Sequence, residues 1–152
     1  MNYHFKLKKE INGYWAECIE LQGCVTQADS LDELYYNASE ALNLFLEEPE
    51  NSSYDFKLPL KSVKTKNVFE VAVDPRIAFA LNMKLIRQKK GLTQKETAEK
   101  LGMKNIYSYQ RLESVKRANP NLSTITKIKS LFPDLKIDEI LSNNTIKRIR
   151  NK

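Results

Sequence analysis

The sequence is short of the residues that build metal centres and oxidised scaffolds. It has a single histidine, His4, and two cysteines, Cys18 and Cys24, with no Cys-x-x-Cys pair. A structural zinc site draws on about four clustered Cys or His ligands, so no metal is expected. Two cysteines fit a reducing compartment, and small buried apolar residues are a better reading of them than a disulfide. No apolar run reaches the roughly 20 residues of a membrane-spanning helix. The opening Met-Asn-Tyr-His-Phe-Lys-Leu lacks the apolar core and small-residue cleavage site of a signal peptide. The expectation is a cytoplasmic protein with no cofactor and no membrane contact.

What is present is a globular composition, 41% hydrophobic and 29% charged in 152 residues, enough for one domain or two small ones. Charge divides along the chain. Residues 1–74 hold 7 Lys+Arg against 13 Asp+Glu, a net of −6, and residues 75–152 hold 18 against 6, a net of +12, which together give the +6 of the whole. A strongly basic half implies nucleic acid as its partner. An acidic half repels nucleic acid or faces a basic protein.

In the acidic half, Tyr3–Lys8 alternates apolar with polar, the period of a half-buried strand. Asn12-Gly13 reads as a two-residue hairpin turn. Tyr14–Ile19 reads as the return strand, and Cys24–Ala28 as a third after Gly23. Ser30-Leu31-Asp32-Glu33 is a capping box. Behind it Leu34, Ala38, Ala41, Leu42, Phe45 and Leu46 predict an amphipathic helix over 31–48, stopped by Pro49. Asn51-Ser52-Ser53 is a polar turn. Phe56, Leu58 and Leu60 alternate, but Pro59 favours an edge or a loop. Val68–Val73 predicts a last strand. One helix on a small, mainly antiparallel sheet is an α+β layer.

Residues 13–30, with Leu31-Asp32-Glu33-Leu34 and Asn37-Ala38-Ser39-Glu40-Ala41-Leu42 after them, resemble the N-terminal domain of HicB-like antitoxins. That family carries a Gly-Cys-x-Thr-x-Gly-Asp-[Ser/Thr] corner leading into a helix with an Asn-Ala-x-Glu-Ala-Leu run. Two places depart from it. Ile19-Glu20-Leu21-Gln22-Gly23-Cys24 stands for a usual Pro-Asp-Leu-Pro-Gly-Cys, and Ala28 for a glycine. The resemblance covers about residues 1–75. It implies a partial ribonuclease-H-like fold that binds a HicA toxin, a small basic mRNA-cleaving protein. Catalysis by this half is not expected, because only Glu17 and Glu70 lie inside strands and two scattered carboxylates make a poor two-metal cage. His4 has no neighbouring nucleophile and is expected as a satisfied surface or interface histidine.

In the basic half, Asp74 caps a helix with Pro75 in its first position. Ile77, Leu81, Leu85 and Ile86 carry it to Lys90, where Gly91 closes it. Thr93 and Glu96 form a capping box, Ala98 and Leu101 an apolar face, and Gly102 ends that short helix. Ile106, Tyr109 and Leu112 define the next, with Tyr107, Ser108, Gln110 and Arg111 opposite. A polar, basic loop runs to Asn121 and contains Lys116 and Arg117. Ser123 is taken as the cap of a helix through Phe132, and Ile137, Ile140 and Leu141 predict a final short one. The fold expectation is therefore an α+β domain over 1–74, an all-α domain of about five helices over 75–142, and a loose basic tail over 143–152.

The second helix and the one after it have the form of a helix-turn-helix. Leu92-Thr93-Gln94, Ala98, Leu101-Gly102 and Leu112-Glu113 resemble the Xre/Cro-type family. Gly102 and Glu113 are one residue farther apart than the family's commonest pattern, so a longer turn is expected. The resemblance implies that Gln94 contacts a phosphate. Lys104 and Asn105, at the start of the reading helix, suit phosphate as well. Tyr107, Ser108 and Arg111 are candidates for base edges, and Gln110 for either role. Tyr107 has an alternative as packing against the neighbouring loop, and Lys116 and Arg117 as solvated loop residues. Readers of this kind work as dimers on palindromic sites, so a homodimer or homotetramer on operator DNA is expected. Two functions fit: an antitoxin that also represses its own operon, or a stand-alone transcription regulator whose first half dimerises or senses a ligand.

Overall fold

A computed structural model describes residues 1–47 and 56–141. The chain divides into two compact units, Met1–Val73 and Asp74–Ser142. The expected stop at Pro49, the turn at 51–53 and the tail over 143–152 lie outside the described residues.

Among the described residues the first unit is a four-stranded antiparallel sheet with one helix. Its strands are β1 (Asn2–Glu10), β2 (Gly13–Cys18), β3 (Val25–Ala28) and β4 (Val68–Ala72), and α1 (Leu31–Glu47) lies between β3 and β4 in the chain. The order across the sheet is β3-β2-β1-β4. The connection through α1 therefore runs from one edge of the sheet to the other. The register places Phe5 opposite both Cys18 and Phe69. Alternate residues then point to one face, where Tyr3, Phe5, Ala16, Phe69 and Val71 are fully or almost fully buried. The buried face of α1 is Leu34, Tyr35, Ala38, Leu42 and Leu46. Phe69 stacks on Phe5 with centroids 5.7 Å apart and meets Tyr35 edge-on at 4.8 Å. Each such side chain removed from water contributes about 1.5–3 kcal/mol.

Three local expectations shift. The hairpin loop is Ile11-Asn12, with Glu10 paired to Gly13, so the turn sits one residue earlier than Asn12-Gly13. The reason is that Gly13 belongs to β2. It has φ +141°, and a Cβ there would stand 2.6 Å from the Ala28 carbonyl oxygen of β3. Next, the Ser30 hydroxyl accepts the Glu33 N–H at 3.3 Å, but the Glu33 carboxylate returns to the Asp29 N–H at 3.2 Å. The reciprocal bond thus reaches one residue beyond the cap. Third, His4 is not on the surface. It is 5% exposed, and its Nδ1 lies 2.6 Å from Glu20 Oε1. Glu20 is itself buried and accepts the N–H of His4 at 3.1 Å, the N–H of Leu60 at 3.1 Å and the Cys18 thiol at 3.6 Å. One carboxylate thereby ties β1, the end of β2 and the segment before β4. Cys18 and Cys24 are buried, free thiols.

The second unit has five helices: α2 (Pro75–Lys89), α3 (Gln94–Lys100), α4 (Ile106–Glu113), α5 (Leu122–Leu131) and α6 (Ile137–Leu141). Asp74 caps α2 by accepting the Arg76 N–H at 2.9 Å. Asn121, not Ser123, caps α5, its Oδ1 accepting the Thr124 N–H at 2.8 Å. Asn121 wins because the helix already starts at Leu122. The core is built on Ile77, Met83, Ala98, Leu101, Tyr109, Leu112, Ile128 and Phe132, all buried. Among the described residues no helix is long and apolar enough to cross a membrane. No three His, Cys, Asp or Glu side chains converge as metal ligands among them.

Candidate nucleic-acid interface

The two helices of the reading motif are set by local chemistry. Thr93 and Glu96 close a full capping box: Thr93 Oγ1 accepts the Glu96 N–H at 3.1 Å, and Glu96 Oε2 accepts the Thr93 N–H at 2.7 Å. The Thr93 N–H, and the Thr93 hydroxyl donating to the same Glu96 oxygen at 2.8 Å, hold the Glu96 carboxyl below the usual carboxylate range. At the other end of α3, the Gly102 N–H donates to Glu99 and the Met103 N–H to Ala98. That pair of bonds with Gly102 at φ +67° is a Schellman ending. Residues 101–105 then separate the two helices. Asn105 caps α4, its Oδ1 accepting both the N–H and the hydroxyl of Ser108, at 2.9 and 3.1 Å.

Behind the motif lies a polar network centred on Glu113. Arg87 Nε and Nη2 donate to its two oxygens at 2.5 and 3.1 Å, and Arg87 Nη1 donates to the Leu92 carbonyl at 2.9 Å. The Tyr109 hydroxyl donates to Glu113 at 2.6 Å, and Gln94 Nε2 does so at 3.0 Å. Gln110 Nε2 in turn donates to Gln94 Oε1 at 3.1 Å. Burial pushes the Glu113 carboxyl up, but the bonds from Arg87, Tyr109 and Gln94 outweigh it and leave it below the usual range. Burial, then the bond to Glu113, pushes the Tyr109 phenol well up. The bond to Glu113 also raises the Arg87 guanidinium. One buried carboxylate thus clamps the end of α2, the start of α3 and the end of α4.

The predicted site residues fall into three groups. Lys104, Asn105, Tyr107, Ser108 and Arg111 are all exposed. Positions 104, 107, 108 and 111 recur at helical spacing, so they share the solvent side of α4 and its approach, opposite buried Tyr109 and Leu112. Tyr107 is 73% exposed, which removes the alternative of packing against a loop. Gln94 and Gln110 are half-buried and bonded to each other, a link from α3 to α4. Lys116 is exposed in the turn after α4, where its carbonyl accepts from Arg76 Nη1 at 3.1 Å. Arg117 beside it donates to Ser114 Oγ at 3.5 Å. Sequence reasoning missed Arg87, and the clamp role of Glu113 and Tyr109. Its one available sign was a charged residue closing the apolar side of the reading helix.

Comparison with known proteins agrees with this geometry. Residues 83–140 match a family described as Helix-turn-helix. They form a helix-turn-helix DNA-binding domain, which supports a role in transcription regulation. The chain is also 43% identical over 47 residues to a UPF0150 protein of Synechocystis sp.. That match covers 30% of this chain and 60% of the relative, so the chain spans less than two thirds of the length of the curated protein it matches.

Proposed function

We propose that this protein is the antitoxin of a HicAB-like toxin–antitoxin pair, itself not an enzyme. In this reading the first unit binds and occludes a small basic mRNA-cleaving toxin of HicA type in the cytoplasm. The second unit binds operator DNA as a homodimer or homotetramer and represses the operon. The observation that carries the reading is the union in one chain of an acidic four-stranded α+β unit with a helix-turn-helix domain in a basic half. The HicB-like corner at residues 13–30 supports it. So does the UPF0150 relative, whose name goes with HicB-like proteins. Opposite charge speeds and selects association between a −6 half and a basic toxin.

At the DNA, Lys104, Asn105, Gln94 and Lys116 contact phosphates, and Tyr107, Ser108 and Arg111 meet base edges in the major groove. Gln110 acts through Gln94, which it holds in place. The test is co-expression with the product of the neighbouring reading frame, followed by an RNA-cleavage assay and a gel shift on the chain's own upstream DNA. A stable complex without cleavage, together with a specific shift, is the expected result. Full cleavage in the presence of excess chain overturns the antitoxin reading. Operator binding with no toxin-like frame beside the gene assigns the stand-alone regulator instead.

A further inference from the structure

One surface of the first unit is both single-signed and greasy. Between Glu10 and Asp55 the chain has no lysine or arginine. Within that stretch α1 carries Asp32, Glu33, Glu40 and Glu47. Its buried side faces the sheet. On the other side Glu33, Tyr36, Glu40 and Leu44 follow at spacings of three, four and four, which is one stripe of a helix. Tyr36 is 63% exposed and Leu44 is 64% exposed. They stand eight residues apart, about 12 Å along the axis at 1.5 Å per residue. The Tyr36 hydroxyl donates to Glu40 Oε1 at 3.0 Å, which lays the ring along the stripe beside a carboxylate.

The sheet's other face lacks this character. Lys6 and Lys8 alternate with Glu17 and Trp15 across the β1–β2 register, and Lys8 Nζ already sits 4.8 Å over the Trp15 ring. Mixed sign there selects no particular partner charge. The stripe on α1 does: two large apolar anchors in an acidic frame are complementary to apolar depressions rimmed by Lys or Arg. Nucleic acid is repelled by the same carboxylates.

We propose that the solvent face of α1, built on Tyr36 and Leu44 with Glu33 and Glu40, is the docking surface for a basic partner protein. This rests on the antitoxin reading, in which that partner is the toxin. Tyr36 and Leu44 supply the buried contact, and the carboxylates steer the encounter and reject acidic surfaces.

The test titrates full-length chain and variants with the HicA-type toxin by calorimetry and stopped-flow. Tyr36→Ala/Leu44→Ala is expected to weaken binding about 30-fold or more, chiefly through faster dissociation. Glu33→Lys/Glu40→Lys is expected to slow association about 10-fold or more, with the loss shrinking as salt rises. Glu10→Lys/Glu17→Lys, with the same change in net charge, is the control and should bind close to wild type. Operator binding and Trp15 fluorescence confirm that each variant is folded. If the wild-type chain binds the toxin and both α1 variants bind equally well, the surface is wrong and the antitoxin reading stands. If the α1 variants instead dissociate an oligomer of the free chain without affecting toxin binding, the face joins copies of the chain and the proposal is overturned. If the wild-type chain does not bind the toxin at all, the antitoxin reading falls and this proposal falls with it.

Discussion

Replacing Glu113 with alanine removes the one carboxylate that four side chains of the helical unit converge on or depend upon. In the native chain the Arg87 and Glu113 side chains are 13% and 5% exposed. Without Glu113, a mostly buried guanidinium keeps only the Leu92 carbonyl of its three bonds. The Tyr109 hydroxyl and one Gln94 N–H lose their acceptor. Breaking a buried ion pair on one side costs about 3–5 kcal/mol. Water reaching the partly exposed Arg87 brings the expectation to about 3 kcal/mol. For a unit of this size that is a fall in Tm of about 12–24 °C. The assay is thermal unfolding followed by far-UV circular dichroism, which weights the helical unit. Fluorescence of Trp15, the sole tryptophan, reports the sheet unit separately. The pH arm has a definite sign. The Glu113 carboxyl is held below its usual 4.5, so its contribution is complete above that pH and is lost as pH falls through the lowered value. Glu113→Gln should therefore flatten the acid side of the stability profile. Replacing the pair together, Arg87→Met/Glu113→Leu, should cost less than Glu113→Ala alone, because no charge is stranded. A Glu113→Ala transition within 3 °C (a shift worth under about 1 kcal/mol) would refute the clamp.

Three more outcomes follow from the same geometry. Arg111→Ala should lower operator preference over random DNA by about 1–3 kcal/mol, whereas Lys104→Ala should weaken both alike and reduce the salt slope by about 1, as gel shifts across a salt series would show. Gly13→Ala should destabilise the sheet unit by about 2 kcal/mol or more in urea unfolding read by Trp15, since φ +141° and the Ala28 oxygen both oppose a Cβ; unchanged unfolding contradicts the hairpin as described. Glu20→Ala should cost the same unit about 3 kcal/mol, because the N–H groups of His4 and Leu60 and the His4 ring lose one shared acceptor. Glu20→Gln should cost less than Glu20→Ala, and the reverse order would show that the hydrogen bonds are not what Glu20 supplies.

The elements of both units were legible because their signals are local. Thr93-x-x-Glu96, Gly102 and the apolar spacing of α1 and α4 act within one or two turns, and the structure keeps them. One of the misplacements is local as well. Asn121 and Ser123 are both good caps two residues apart, and only the helix start decides between them. The hairpin loop moved because Gly13 answers to Ala28 on β3, which lies 15 residues further on. What could not be read were pairings across sequence distance. Glu20 looks like a solvated acid beside a loop, yet it meets a histidine 16 residues back and an amide 40 residues on. Arg87 and Glu113 are 26 residues apart, and no periodicity links them. The exposed side of α4 was readable from spacing alone. The bond from Gln110 to Gln94 was not, because it is a contact between helices.

That contact fixes the freedom left to the Gln94 side chain. A glutamine side chain fixed from free rotation forfeits up to about 1.5–2 kcal/mol of entropy. Held at one end by Glu113 and at the other by Gln110, Gln94 has already forfeited much of this on folding. The Glu113 carboxylate can only accept, so it also settles which way round the Gln94 amide lies, with nitrogen toward the acid and oxygen toward Gln110. The side chain is therefore held in a single pose, as a rigid extension of the backbone at the start of α3.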